Sequence, residues 1–349
     1  MLRCGMDRAD CRGVRRSILL AGPPRCFSGT RTERQLFFAI EKRSPAGSRQ
    51  RVRSRILPPK FPMQYLLLLP ALYLLVCVIL YFAQGRLLYA PSRNWVGTPT
   101  DVGLDFEDVW LESERGQRIH AWYVPHARAR GLVLFCHGNG GNNSHRLDTL
   151  ALIHELGLSV LIFDYPGYGQ SQGRPSQASM LAAAHAARDW LRTKGQDEDL
   201  PLVLWGRSLG GAVAALLAQE QEPAFLIVES SFPDMVSVAA RLYPWLPVRL
   251  LLRDRWRAAQ ALSSLFCPKL FVHSLDDQLI PFALGQTLFD RAAPPKEFLP
   301  IHGGHEGGWL ESGQDYSRAI GSFIQDNLQD NLDRRAGDGT SLGRSESVT

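Results

Sequence analysis

The sequence predicts an α/β fold whose core is a mostly parallel, eight-stranded sheet flanked by helices. Two observations support this class. Short apolar runs of strand length alternate with segments of helical periodicity between residues 106 and 328, which is the pattern of a parallel sheet covered on both faces. A Gly-rich turn at residues 206–211 also joins one apolar run directly to an Ala-rich helix.

The expected elements follow one another in order along the chain. An opening hairpin is followed by strands that alternate with helices, and a short cap insertion at residues 232–265 interrupts the alternation. The expected strands are residues 106–112, 118–124, 131–136, 159–163, 200–205, 225–229, 270–273 and 298–301. The expected helices are residues 144–156, 177–191, 209–219, 281–291 and 314–328. The polar sequence at residues 329–349 predicts a disordered tail.

The first 62 residues differ in composition from the rest of the chain. They hold 15 Lys/Arg and 4 Asp/Glu, a net charge of +11, whereas the remaining residues carry a net charge of −6. Sequence that is rich in Arg, Ser, Gly and Pro and lacks periodicity predicts an unfolded extension. An organelle transit peptide and a translation start at Met63 are the two alternative interpretations.

Residues 65–83 form a 19-residue apolar run without a charged side chain. A helix of this length spans roughly 28 Å, close to the ~30 Å hydrocarbon core of a bilayer. We therefore expect a transmembrane anchor at residues 63–84, with Tyr81 and Tyr89 at the membrane interface. A cleaved signal peptide is the alternative. A basic extension before the anchor favours a cytoplasmic N-terminus, and a start at Met63 weakens or reverses this preference.

Composition argues against several other kinds of function. The mildly acidic sequence beyond residue 62 does not suit nucleic acid. The six cysteines include no CxxC pair, so neither a thiolate zinc site nor a disulfide framework is expected. The Gly-rich loop at residues 137–142 lacks the signatures of phosphate-binding loops. We expect neither a metal nor an organic cofactor.

The motif Gly206-Arg207-Ser208-Leu209-Gly210 carries the strongest signal for chemistry. It follows a predicted strand and precedes a predicted helix, which is the context that a G-x-S-x-G nucleophile elbow requires. Because the serine sits on a tight, strained turn, the residues two before and two after it must be very small, and both are glycine. We therefore expect Ser208 to be a nucleophile.

A serine nucleophile needs a base, and in this topology the base comes last in the chain order. Three histidines follow Ser208. His273 lies inside an apolar strand, where a structural role is expected. His302 and His305 lie in the loop after the last strand, and the two glycines before His305 favour it as the base, because they let the loop approach the serine closely.

The acid that orients the base is expected between the serine and the histidine in the chain. Asp276 and Asp277 both follow a predicted strand, and Pro281 then opens a helix. We favour Asp277, because Ile280 and Pro281 anchor the helix that follows its loop, and we interpret Asp276 as a solvated or capping loop residue.

Two backbone N–H groups are expected to bind the oxyanion of the transition state. One belongs to Leu209, the residue after the nucleophile. The other is expected in the loop His137-Gly138-Asn139, whose glycines let the backbone approach a substrate carbonyl, and Asn139 is the candidate donor. We expect His137 to support this loop and not to take part in catalysis.

Six ordered segments together are more specific than any one motif. They are HGNGGN at 137–142, DYPGYGQSQG at 164–173, WGRSLGG at 205–211, ESSFPDM at 229–235, DDQLIP at 276–281 and GGHEGGW at 303–309. With them the chain resembles the membrane-anchored α/β-hydrolase-domain serine hydrolases, a group related to prolyl oligopeptidase and serine aminopeptidases. The resemblance covers the anchor and residues 85–328, and residues 243–256 resemble the family's short cap. It departs at Glu306, where relatives usually have Asn.

The resemblance implies an α/β-hydrolase fold and a triad of Ser208, Asp277 and His305. It also implies action on ester, thioester or peptide bonds. We expect hydrolysis of a carboxylic ester or thioester in a small molecule, a lipid or an acylated protein, through an acyl-enzyme. A peptidase resembling serine aminopeptidases is the alternative, and a catalytically inactive scaffold at the membrane is an alternative of another class. The apolar cap is expected either to roof an acyl pocket or to touch membrane lipid.

Overall fold

The computed structural model describes residues 63–195 and 199–342 of the chain. The extension expected at residues 1–62 and the end of the expected tail, residues 343–349, lie outside the described residues. The anchor helix, the sheet with its flanking helices and the cap all fall within the described residues.

The strands form one eight-stranded sheet and a separate two-stranded ladder. In chain order they are Ala90–Pro91 (β1), Glu107–Glu112 (β2), Arg118–Val124 (β3), Leu132–Cys136 (β4), Gly140–Gly141 (β5), Ser159–Phe163 (β6), Leu202–Arg207 (β7), Phe225–Glu229 (β8), Lys269–Ser274 (β9) and Lys296–Ile301 (β10). The large sheet has the order β10-β9-β8-β7-β4-β6-β3-β2. Its pairs are parallel except for the β2–β3 hairpin and the β3–β6 pair, which are antiparallel. The predicted fold class and opening hairpin are confirmed.

The helices cover both faces of the sheet and include the helices of the segments predicted as anchor and cap. In chain order they are Met63–Leu88 (α1), Leu147–Glu155 (α2), Gln177–Lys194 (α3), Leu209–Glu220 (α4), Met235–Leu242 (α5), Val248–Leu251 (α6), Ala258–Leu262 (α7), Phe282–Arg291 (α8), Gly308–Glu311 (α9) and Gly313–Leu342 (α10). Short 3₁₀ turns occupy Pro99–Val102 and Asn143–Arg146. Helices α5, α6 and α7 lie within the predicted cap insertion.

The inner strands of the sheet contribute to two hydrophobic cores because successive side chains point to opposite faces. Strand β4 shows this alternation. Its Leu132 and Leu134 join the core formed with α3, α4 and α7, whereas Val133 and Phe135 join the core formed with α2 and α10. Burial on both faces explains why β4 reads as a continuous apolar run in the sequence.

Helix α4 packs on the sheet through glycines at its entry. A Cβ added at Gly206 would overlap the backbone carbonyl of Gly210, and one at Gly210 would overlap the carbonyl oxygen of Cys136 in β4. A Cβ at Gly211 would lie 2.7 Å from the Cβ of Ser231. The absence of side chains at these positions therefore sets how closely the turn after β7 approaches its neighbours.

Helix α1 contains a segment, Leu67–Leu88, that is long and apolar enough to cross a membrane, with a mean hydropathy of 2.3. The helix runs four residues beyond the predicted anchor boundary at residue 84. The position expected for Tyr89 is wrong, because its side chain is only 4% exposed. Its hydroxyl donates to Asp254 at 2.7 Å and accepts from the indole N–H of Trp256 at 3.2 Å, so tertiary hydrogen bonds hold this tyrosine in the core.

The C-terminal helix is longer than the sequence predicts. Helix α10 continues from Gly313 to Leu342, so residues 329–342 are helical and do not belong to a disordered tail. Its first half is fixed by tertiary packing, since Tyr316, Ile320 and Ile324 are fully or almost fully buried. A helix nucleated by packing adds further turns easily, even where glycines cost about 1 kcal/mol each.

The close approach of Gly210 to the carbonyl of Cys136 leads to a prediction about stability. Replacing Gly210 by Ala sets a methyl group against the rigid carbonyl of Cys136, so we expect the free energy of unfolding to fall by about 3 kcal/mol or more. Gly304→Ala is the matched control, because a Cβ there meets no atom within 4 Å. Chemical denaturation of the full chain in detergent, followed by fluorescence, measures both variants. Equal stabilities for the two would contradict the packing described here.

Candidate active site

Ser208 sits on the sharp turn between β7 and α4. Its backbone has φ 55° and ψ −120°, a left-handed conformation that costs a non-glycine residue about 1–3 kcal/mol. Two hydrogen bonds hold the turn. The N–H of Ser208 donates to the carbonyl of Glu229 at 2.8 Å, and the hydroxyl of Ser231 donates to the Ser208 carbonyl at 2.9 Å. The surrounding structure thus maintains the strain expected of a nucleophile elbow.

A buried ion pair between Arg207 and Glu229 lies beside this turn. The guanidinium of Arg207 lies 3.1 Å from the Glu229 carboxylate, and both side chains are almost fully buried. The same carboxylate accepts from Trp205 Nε1 at 3.3 Å and from the Tyr316 hydroxyl at 3.2 Å. These contacts compensate the buried negative charge of Glu229. They also fix the position of Glu229, whose backbone carbonyl accepts the N–H of Ser208.

His305 lies within hydrogen-bond distance of Ser208 and of an acid. Its Nε2 is 2.9 Å from Ser208 Oγ, and its Nδ1 is 2.6 Å from Asp277 Oδ2. The imidazole is 11% exposed, so it is largely sheltered but open on one side. The histidine arrives on the loop after β10, two residues beyond Gly303, which has φ 101°, a conformation that favours glycine.

Asp277 is held rigidly in the loop after β9. Its side chain is fully buried, and its Oδ1 accepts the backbone N–H groups of Leu279 at 2.9 Å and Ile280 at 2.8 Å. The other oxygen, Oδ2, is thereby turned toward His305. Two backbone N–H groups and one imidazole therefore make hydrogen bonds to this buried carboxylate in place of water.

The competing acid and base form a separate pair at the surface. His302 Nδ1 lies 3.0 Å from Asp276 Oδ2, and both side chains are exposed. His273 is buried in β9, where its Nε2–H donates to the carbonyl of Ile280 at 2.7 Å. Burial lowers the pKa of His273, which favours the neutral ring. Neither His302 nor His273 has a described hydrogen bond to Ser208.

The loop after β4 lies against Ser208. A Cβ added at Gly138 would sit 3.5 Å from the Cβ of Ser208. The preceding residue, His137, donates through Nδ1 to the carbonyl of Gly138 at 2.7 Å and stacks on the ring of Tyr165. Burial lowers the pKa of His137 to about 4, so the ring is neutral at physiological pH. These contacts suit a supporting role in the loop.

The side chain of Asn139 is fixed by two distant groups. Its amide donates to the carbonyl of Leu88 at 2.9 Å, and its carbonyl oxygen accepts from the Tyr168 hydroxyl at 3.0 Å. Among the described residues, the backbone N–H groups of Asn139 and Leu209 have no protein acceptor. Both are therefore available to a substrate oxygen.

Two further charged residues border the site, and sequence reasoning did not identify them as a pair. A Cβ at Gly138 would lie 3.9 Å from Arg146 Nη2, and a Cβ at Gly140 would lie 3.7 Å from Glu306 Oε1. Burial and the nearby Arg207 lower the pKa of Arg146, and the carboxylate of Glu306 opposes this shift. The negative charge at Glu306 is thus partly balanced by Arg146. The departure from Asn at position 306 was the one sequence signal for this feature.

The described residues contain no group of three or more His, Cys, Asp or Glu side chains arranged to hold a metal ion. Of the six cysteines, the three that the structure describes, Cys77, Cys136 and Cys267, are free thiols.

Comparison with known families and relatives agrees with this geometry. A family model described as "Serine aminopeptidase, S33" matches residues 127–253. The α/β hydrolase domain-containing protein WAV2 of Arabidopsis thaliana is 32% identical over 270 residues, which cover 69% of this chain and 87% of that protein. The lysophosphatidylserine lipase ABHD12 of Macaca fascicularis is 29% identical over 246 residues, which cover 62% of this chain and 61% of that lipase.

Among solved structures, the Pyrococcus furiosus esterase Pf2001 has the same fold. It superposes with a TM-score of 0.58 at 18% sequence identity, covering 68% of this chain and 99% of the esterase. The sheet order, the strained serine turn and the match to WAV2 lead to the same conclusion. The chain belongs to the α/β-hydrolase-domain family and is a serine hydrolase.

Proposed function

We propose that this protein hydrolyses carboxylic esters or thioesters of acyl lipids or acylated proteins through Ser208, His305 and Asp277. The observation that carries the proposal is the unbroken relay of hydrogen bonds. Asp277 Oδ2 lies 2.6 Å from one imidazole nitrogen of His305, and the other nitrogen lies 2.9 Å from Ser208 Oγ. These are the distances at which a nucleophile, a base and an orienting acid act as a unit.

The reaction would run in two acyl-transfer steps. His305 accepts the Ser208 proton as Oγ attacks the substrate carbonyl carbon. The bond to the leaving oxygen or sulfur breaks, His305 gives that atom the proton, and the acyl group remains on Ser208. A water molecule, deprotonated by the same imidazole, then attacks the acyl-enzyme, which releases a carboxylic acid and restores Ser208.

The oxyanion formed in each step would be held by the N–H groups of Leu209 and Asn139. Leu209 is the first residue of α4, so its N–H is one of the groups that a helix start leaves without an intrahelical partner. Asn139 belongs to the loop that lies against Ser208. Loss of one such donor costs about 10²–10³ in rate.

One comparison and two features of the structure favour esters over peptides as substrates. ABHD12 is a lysophosphatidylserine lipase, and α1 is a helix of membrane-spanning length and composition. An aminopeptidase needs an acidic group for the substrate amine. Glu306 is an acidic residue at the site, but Arg146 offsets its charge. The peptidase interpretation, which the name of the family model supports, is therefore second.

We also propose how the chain is organised around this activity. Helix α1 anchors the protein to a membrane as a single N-terminal span. Residues 85–328 form the hydrolase domain, and residues 232–265 form its cap. A catalytically inactive scaffold is disfavoured, because a protein without activity does not need the buried acid, the oriented imidazole and the strained serine.

Labelling with a fluorophosphonate probe tests Ser208 as the nucleophile. We expect Ser208→Ala to lose labelling and to lower kcat on esters by roughly 10⁴ or more, because the attacking oxygen is gone. Ser263→Ala, at an exposed position, should label like the natural protein. The natural chain should hydrolyse acyl esters or thioesters faster than aminoacyl amides. Persistent labelling of Ser208→Ala would refute this assignment.

A second pair of variants tests the acid. Asp277→Asn should lower kcat by about 10⁴, because an amide disfavours the tautomer and charge of His305 that the reaction needs. Asp276→Asn should change kcat by less than about threefold, because that carboxylate contacts the exposed His302. Steady-state kinetics on one ester measures both. A larger loss at Asp276 than at Asp277 would show that the acid is assigned to the wrong residue.

A further inference from the structure

A cavity of about 260 Å³ lies between the anchor helix α1 and the cap. Leu80, Leu87 and Leu88 line it from α1, and Ala239, Tyr243 and Leu251 are among the residues that line it from the cap. Gln84 contributes the one side-chain amide of its lining, and this amide is already engaged in hydrogen bonds. It donates to the carbonyls of Tyr81 and Leu251 and accepts the N–H of Arg253. The cavity therefore offers a mainly aliphatic and aromatic surface in which the Gln84 amide is not available to a ligand.

One end of the cavity is linked to the loop beside Ser208 through a hydrogen bond. Leu88 lines the cavity, and its carbonyl accepts the side-chain amide of Asn139 at 2.9 Å. Gly138, the residue before Asn139, lies against Ser208. From Leu80 to Leu88 the helix rises about 12 Å, so the apolar surface extends away from the nucleophile along the anchor.

The other end opens toward an exposed apolar surface. Tyr243 and Trp245 line the cavity from the cap and are 50% and 58% exposed. The guanidinium of Arg253 lies 5.2 Å from the ring centre of Tyr81, the residue that follows Leu80 on α1. A cation and an aromatic ring together mark the level at which lipid headgroups meet the hydrocarbon. An exposed apolar surface at this level suits contact with a bilayer.

We propose that this cavity is the acyl-chain subsite of the enzyme, and that one acyl chain of a membrane lipid ester enters it sideways from the bilayer. The proposal rests on the proposed function, because it places the acyl chain of that same substrate. The volume of about 260 Å³, the mainly apolar lining and the wall formed by a helix of membrane-spanning length all suit a single hydrocarbon chain. The carbonyl carbon of the bound ester then lies toward the Leu88 end, beside Asn139 and Ser208.

A binding site of this kind makes the rate depend on acyl length. Each methylene group buried in an apolar site improves binding about fourfold. For the natural chain, kcat/KM should therefore rise from acetate through octanoate to laurate esters until the cavity is filled. A substrate chain that lies in solvent would give no such rise.

The decisive test fills the cavity. Ala239→Trp places an indole in it, and we expect the ratio of kcat/KM for laurate to that for acetate to fall at least tenfold in the full chain in detergent. Ala240→Trp is the matched control, because that residue is the exposed neighbour on α5 and does not line the cavity. It should keep the ratio of the natural chain.

A second variant, which should shift the preferred acyl-chain length in the opposite direction, separates a change in the cavity from misfolding. Leu251→Ala enlarges the cavity, so the preferred acyl chain should become longer. An unchanged ratio in Ala239→Trp, or equal losses on acetate and laurate, would overturn the subsite while ester hydrolysis by Ser208 stood. Absence of fluorophosphonate labelling and of hydrolysis of any ester by the natural chain would instead overturn the proposed function itself.

Discussion

Glu229 holds the strained turn at Ser208 from two sides. Its backbone carbonyl accepts the N–H of Ser208, and its carboxylate pairs with Arg207, the residue before the serine. A left-handed serine is unfavourable by itself, and it persists because the groups around it leave no relaxed alternative. The glycines on either side allow this packing, since any side chain at Gly206 or Gly210 would strike backbone. The position of the nucleophile follows from these contacts.

Much of the site could be predicted because it depends on the ends of parallel strands. Ser208, Asp277 and His305 follow β7, β9 and β10, and these strands run in the same direction in one sheet. Their carboxyl ends therefore meet at one edge, and residues that are distant in sequence come together there. Local signals, such as glycines before the serine and the histidine, were enough to propose residues that the structure places within hydrogen-bond distance of one another.

Other features could not be predicted because they depend on contacts between distant segments. Tyr89 was expected at the membrane interface, yet its hydroxyl donates a hydrogen bond to Asp254, which is 165 residues away in the sequence. The bond from Asn139 to the Leu88 carbonyl uses a backbone acceptor, which has no signature in a sequence. The extension of α10 beyond residue 328 also depends on the tertiary packing of the first half of that helix. The polar sequence of the second half carries no periodic pattern that would predict it.

The hydrogen bond between Asn139 and Leu88 has a consequence for where the chemistry takes place. It joins the last residue of a helix of membrane-spanning length to the loop beside the nucleophile. With α1 in a bilayer, the depth of that helix would set the height of Ser208 above the lipid. The enzyme would then respond to the surface density of its substrate in the membrane and not to its concentration in bulk water. Release of the domain from α1 would remove both the lipid surface and one of the two partners of Asn139.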